Sequence, residues 1–294
     1  SFVVKNIFKK IFNNKYKNED KKYTDFVLPK IQNIRDVIAS KDTISFLHSG
    51  HLGDIINSLP VIKDLSRDKN CYLFIQKNKK IPTHIHHKDN PFGQVYLTEK
   101  SIHKMLPLLR EQNFLKKVEI YSDQKIDIDL NFFRELPINF NIDSVRWYFQ
   151  LTGCHPDLSQ NYLSVPNHPK FKNYIVIMRS LRRQNKFIDY TFLSSYKNVV
   201  FVGLEDEFKD LKYKINNLEY YDSKNFLELA SIVKNSKVFI GNLSFGYAMA
   251  EALKVPRLLE SAPNFPLVYP NGPNAYDFYF QTHLEDLVKK LYFN

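Results

Sequence analysis

"HSGHLGDIINSLPVI", residues 48–62, sets two glycines and an acid in a short turn between an apolar run, "TISFLHS" (43–49), and a segment whose apolar residues recur at helical spacing. Ile55, Ile56, Leu59, Ile62 and Leu65 share one face, which predicts a helix over about 54–66 with Pro60 loosening a turn. The chain holds only 8 glycines, so two beside Asp54 need a reason. Strand, turn and helix in this order open a βα unit of a parallel sheet, where ligands bind beyond the carboxyl ends of the strands. Gly50 and Gly53, with His51 between them, let the backbone come close to a ligand or acceptor. The plainer reading is that Asp54 only caps the helix.

The same alternation continues outward. "CYLFIQ" (71–76), "QVYLT" (94–98), "VEIYS" (118–122) and "IDIDL" (126–130) read as strands, with helices near 100–113 and 143–152. A Pro- and Asn-rich stretch, 155–173, reads as a linker. Strands then recur at "YIVIMRS" (174–180), "NVVFVG" (198–203), "LEYYD" (218–222), "KVFIG" (237–241) and "RLLE" (257–260). Helices are predicted near 187–196, 206–216, 224–235 and 245–254, and a last one over 283–292 can pack back across either half. The expectation is an α/β protein of two Rossmann-like domains, 23–165 and 166–294, behind an arm of residues 1–22.

Apolar residues at 44% and charged residues at 25% exclude a disordered or collagen-like chain. The net charge of +11 favours anionic partners, and residues 1–23 supply +5 of it, from seven lysines against Glu19 and Asp20. Val4, Phe8, Ile11 and Phe12, with Ile7 beside them, recur at helical spacing there, between Lys5, Lys9 and Lys10. Such a helix lies on an anionic membrane or docks on the protein's own body. The basic residues are not interleaved with aromatics in a nucleic-acid motif, so no nucleic acid is expected. Cys71 and Cys154 are too few for a disulfide framework and suit a reducing cytoplasm. No apolar run reaches the roughly 18 residues of a spanning helix and the arm lacks a signal peptide's apolar core, which points to a cytoplasmic or peripheral inner-face protein.

Two further segments carry binding chemistry. "GNLSFG" (241–246) ends a strand and starts a helix, with Asn242 before the turn, Ser244 at an N-cap position and the amides near Phe245 and Gly246 open to a phosphate. "RSLRRQNK" (179–186) places Arg179, Arg182, Arg183 and Lys186 after a strand, where they could clamp a diphosphate or form a solvated basic loop. Asp127 and Asp129 imitate a metal-binding DxD, yet they sit in an alternating strand and are not read as a metal site. The histidines of "HIHHKD" (84–89) lack the partners of one.

Together these segments resemble the ADP-heptose:lipopolysaccharide heptosyltransferases, sugar transferases of the GT-B type. "GHLGDIINSLPVIKDL" (50–65), "KIDIDLNFF" (125–133) and "VFIGNLSFGYAMAEALKVPRL" (238–258) follow that family's motifs in order and spacing. The resemblance implies two Rossmann-like domains facing across a cleft and inverting transfer from a nucleotide-diphosphate sugar to a glycan or glycolipid, without a metal. It implies that Asp54 is the general base and that Ser244, Phe245 and Gly246 hold the donor diphosphate. Lys186 falls at the family's phosphate-binding lysine and Glu207 at its ribose carboxylate, with Glu205 the alternative. Leu243, Phe245 and Ala248 replace the family's Asp, Gly and His, and Glu251 stands where it has Ala, facing either the donor or the helix's own surface. A degenerate protein of this fold, holding a nucleotide sugar or polyanion without turnover, is the alternative.

Overall fold

The computed structural model describes residues 17–83, 90–138, 140–262 and 268–293. Residues 1–16, most of the basic arm, and the histidine run 84–89 lie outside them. The described chain begins helical at residue 17, passes through a π-helical turn, Tyr23–Val27, and continues as α1, Leu28–Ser40. The stretch after the arm is therefore helix and not connector. Pro29 in its first turn suits a helix, and Ile34, with Ile31, Val37 and Ile38 half-buried beside it, packs on the core.

The first half follows as β1 (Thr43–His48), α2 (Leu52–Leu65), β2 (Asn70–Ile75), α3 (Glu99–Arg110), β3 (Leu115–Ile120), β4 (Ile128–Asp129), a 3₁₀ turn (Leu130–Glu135) and α4 (Val145–Thr152). The second half is β5 (Ile175–Met178), β6 (Val199–Val202), α5 (Glu205–Lys212), β7 (Glu219–Tyr221), α6 (Phe226–Lys234), β8 (Val238–Asn242), α7 (Phe245–Leu253), β9 (Arg257–Glu260), β10 (Ala275–Phe278) and α8 (Gln281–Phe293). Both sheets are parallel throughout, in orders β3-β2-β1-β4 and β10-β9-β8-β5-β6-β7. Near-continuous apolar strands such as VVFV of β6, buried at every position, are what a sheet covered on both faces requires.

Several sequence expectations are corrected. Residues 94–98 make no strand beyond a single antiparallel bridge between Val95 and Lys80. The Asn90 side-chain amide donates to the carbonyls of Gly93 and Val95, 2.7 and 3.1 Å away, and Thr98 caps α3, so the segment turns instead of pairing. The helix expected over 187–196 shrinks to a 3₁₀ turn, Thr191–Ser195, because Asn185 and Asp189 accept backbone N–H groups two residues on. The stretch 155–173, read as the linker, is packed against both halves. Gln112 exchanges two hydrogen bonds with the Ser164 backbone, Tyr162 N–H donates to Ala252 O, and Leu163 and Val165 are buried. The last helix packs on the second sheet through Leu284, Val288 and Leu291, and the sequence reading missed the edge strand β10 before it.

One apolar cluster runs from α1 and the first sheet through α2, α4 and α7 to Val176, Val200 and Phe239 of the second sheet. The halves thus share a core where α2 meets α7.

Candidate active site

Each sheet reverses its strand order once, at the position where open α/β sheets bind ligands. In the first sheet β1 lies between β2 and β4, so the turn after β1 adjoins the 3₁₀ turn after β4. In the second, β5 lies between β8 and β6, so the loop 179–186 adjoins the turn 242–246.

At the first reversal Asp54 sits in the opening turn of α2. Its Oδ2 accepts from His51 N–H at 3.1 Å and from Arg134 Nη2 at 3.0 Å. Among the described residues no hydrogen bond reaches Oδ1. The capping role is thus real, and it engages one oxygen of two. Arg134 comes from the turn after β4 and lies over the rings of Phe133 and Tyr96, 4.3 and 4.9 Å from their centroids. Burial pushes the Asp54 carboxyl up, but Arg134, His51 and His48 and the His51 amide together hold it below the usual carboxylate range. It is ionised at neutral pH.

Beneath it His48 is fully buried, and burial pushes its imidazole down to about 4. Its Nδ1 accepts from Gly50 N–H at 3.0 Å, so the neutral ring carries its proton on Nε2 and donates to the Tyr148 hydroxyl at 2.9 Å. Gly50 is required by space: a Cβ there would lie 2.7 Å from Asp54 Oδ2 and 2.8 Å from His48 Cε1. Gly53 faces the other half, where its Cβ would lie 3.9 Å from Phe245 Cα and 4.0 Å from Ala248 Cβ.

At the second reversal Ser244 precedes α7, and its Oγ is buried without a hydrogen-bond partner among the described residues. Phe245 packs edge-on against Phe226 at 4.8 Å, and a Cβ on Gly246 would come within 2.8 Å of Met178 Cγ. Arg183 takes a left-handed φ of 61°, and burial beside Arg182 pushes its guanidinium down to about 10. Both arginines act electrostatically on His51, and Arg183 also acts on Asp54, so the two turns face each other.

A cavity of about 380 Å³ joins them. His51, Leu52 and Gly53 line it from the first turn, and Met178, Ser180, Arg182, Ser244 and Phe245 from the second. Lys100, Ser101 and Lys104 of α3 add one wall, and Gly203, Leu204, Glu207, Asp222 and Ser223 another. Asp54 is not on the lining. It stands behind the turn with its side chain 17% exposed.

Four expected donor ligands are placed elsewhere. Arg179 is 2% exposed and gives its guanidinium to Glu260 at 2.5 and 2.8 Å, with Tyr190 Oη on the same carboxylate. It anchors the basic loop and cannot also clamp a diphosphate. Asn242 has its whole amide committed to the backbone of Ser180 and Arg182. Glu251 turns into α7's own surroundings, pairing with Lys254 and with Arg257 Nε at 2.5 Å and accepting from Asn271 N–H at 3.2 Å. Lys186 points outward over Phe187, off the cavity. Glu207 does line the cavity, where burial raises its carboxyl and the Leu204 N–H donates to it at 3.2 Å, while Glu205 is exposed and paired with Lys209.

Asp127 and Asp129 do not act together either. Asp127 accepts from Ser45 N–H and pairs with Lys41, whereas Asp129 caps the 3₁₀ turn through Asn131 N–H. Among the described residues no group of three or more His, Cys, Asp or Glu is gathered to hold a metal ion. Sequence reasoning missed Arg134, His48 and the α3 lysines. The one signal for Arg134 was its place just after "KIDIDL", the strand that pairs with β1.

No protein-family profile and no curated protein matches the chain by sequence. Its architecture is nevertheless similar to solved structures. The ADP-heptose LPS heptosyltransferase II of E. coli superposes with a TM-score of 0.57 at 11% identity, over 85% of this chain and 98% of that one. E. coli heptosyltransferase WaaC with ADP gives 0.54 at 9% identity, over 84% and 97%. A glycosyl transferase family 9 protein from Veillonella parvula DSM 2008 gives 0.53 at 12% identity, over 85% and 91%. The fold is the GT-B fold of two facing Rossmann-like units.

Proposed function

We propose that the protein is an inverting glycosyltransferase moving a sugar from a nucleotide-diphosphate donor to a hydroxyl of a glycan or glycolipid. The observation that carries this reading is an ionised carboxylate, Asp54, partly exposed just behind the His51–Gly53 turn that lines the cavity opposite an anion-suited turn, with one oxygen held and, among the described residues, no hydrogen bond to the other. Asp54 Oδ1 takes the acceptor's hydroxyl proton as the acceptor oxygen bonds to the anomeric carbon. The bond to the diphosphate breaks on the opposite face, and its electron pair leaves with the nucleoside diphosphate. Arg182, Arg183, the Ser244 hydroxyl and the free amides opening α7 meet the charge that develops there, so the reading needs no metal. Glu207, on the cavity wall, is the carboxylate this reading offers to the donor's ribose.

The solved structures that share the fold include one named for ADP-heptose and one holding ADP, which supports a nucleotide sugar as donor. The test is a thermal-shift panel of nucleotide sugars followed by Asp54→Asn. A donor that binds should raise the melting point. The variant should keep that shift and lose about 10²–10⁴-fold in transfer, the usual worth of a general base. Retained transfer would remove Asp54 from the role.

A second reading, a nucleotide-sugar or polyanion binding protein without turnover, is favoured by Leu243 and Ala248 in place of the family's Asp and His. Donor binding with no transfer or donor hydrolysis in the unsubstituted protein would establish it.

A further inference from the structure

We infer that the N-terminal helix, with Tyr23, Phe26 and Leu28 at its exposed bend, is a docking element for an anionic lipid surface, set beside the Asp54 turn. Every residue from 17 to 26 is helical and exposed, which is unusual for a segment carrying large apolar side chains. Tyr23, Phe26 and Leu28 are 45–50% exposed around the π-helical turn. A π turn shifts the register of successive side chains, and among the described residues the ring contact made by the three is that of Phe26 with Phe132.

The occupant follows from charge. Residues 17–26 balance three lysines against Glu19, Asp20 and Asp25. The sixteen residues before them carry Lys5, Lys9, Lys10 and Lys15, no acid, and a run of apolar and aromatic side chains. A second copy of this chain would bring the same four positive charges against each other. An anionic bilayer attracts them, at roughly fivefold in partition per lysine near the surface, and offers an interface where Tyr and Phe rings lodge. Among the described residues no helix is long and apolar enough to cross a membrane, so the association is peripheral.

The helix is also tied to the site. Phe26 packs edge-on against Phe132 at 5.5 Å, and Lys22 pairs with Glu135 at 2.8 Å. Both partners belong to the 3₁₀ turn Leu130–Glu135, whose Arg134 holds Asp54. One six-residue element therefore links the docking helix to the carboxylate. If the transfer reading holds, the acceptor is lipid-linked; lipid binding itself stands apart from that reading.

The test is co-sedimentation of the full chain with vesicles of phosphatidylcholine alone and of phosphatidylcholine with one-third phosphatidylglycerol. The unsubstituted protein should sediment with the anionic vesicles only, and less as salt is raised. The triple variant Tyr23→Ser, Phe26→Ser, Leu28→Ser should lose about tenfold or more in partition, the worth of burying one or two such side chains, while Phe26→Ser alone reads what the lost Phe132 contact costs in melting point. Equal binding to neutral vesicles, or a triple variant that binds like the parent, would overturn the inference. So would a vesicle-free dimer that the triple variant dissociates, since the helix would then serve a second copy.

Discussion

The two strand-order reversals use charge in opposite ways. At the first, Asp54 and Arg134 pair at a partly exposed surface, 17% and 26% exposed, and among the described residues no hydrogen bond reaches the second carboxylate oxygen. At the second, Arg179 and Glu260 pair in full burial and leave nothing over, because Tyr190 and the Asn185 amide complete the same carboxylate. Equal-looking charged residues of one βα loop thus split into those that shape the loop and one, Arg182, that lines the cavity. Arg182 lines the cavity from a loop that Arg179 and Asn242 fix from behind.

The contrast is broken most forcefully at Glu260. Glu260→Ala would strand a buried guanidinium, a hydroxyl and an amide, and should cost about 3–5 kcal/mol of stability in urea unfolding. A variant that lost donor binding at full stability would show that Glu260 faces ligand after all, and the two reversals would be alike. Arg134→Gln should cost less, about 1.5–3 kcal/mol for a charged hydrogen bond. Its distinctive effect is on pH dependence. Arg134 is the largest of the influences that lower the Asp54 pKa, so removing it raises that pKa. A base works only when deprotonated, so the acidic limb of the rate profile should move to higher pH. The stability that ionised Asp54 lends, present above its unfolded pKa and lost as pH falls through the folded one, should shrink as well. An acidic limb that stays in place would mean that another group sets it.

The parallel sheets were legible because buried strands such as "YIVIM" and "NVVFV" are continuous apolar runs, and both cavity turns were legible because glycines gather at strand ends, beside Asp54 in one and Ser244 in the other. Helix α1 went unread although Ile31, Ile34 and Ile38 recur at helical spacing and pack with Val37 on the core. Nor could spacing separate Arg179 from Arg182. That depends on Glu260, 81 residues away, which reaches the loop only because β9 and β5 both flank β8. Arg134 was hidden for the same reason: its partner is brought by the β1–β4 pairing, and β4 is two residues long.

The two glycines that mark the first turn give the finest test, because they look equivalent in sequence and differ in what surrounds them. Gly50→Ala forces a methyl against Asp54 Oδ2 and the buried His48 ring, and should cost about 1–3 kcal/mol, as overpacking does. Gly53→Ala meets only ordinary contacts at 3.9 and 4.0 Å, in the first turn of a helix where alanine is the better former. Its melting point should hold or rise slightly. Yet Gly53 lines the cavity, so the added methyl occupies space that a bound donor or acceptor would use. Substrate affinity should therefore fall severalfold while stability does not, measured as KM against the melting point of the same preparation. If Gly53→Ala left both unchanged, the glycine would serve only the approach of α2 to α7, and the ligand would sit farther along the cavity, toward α3.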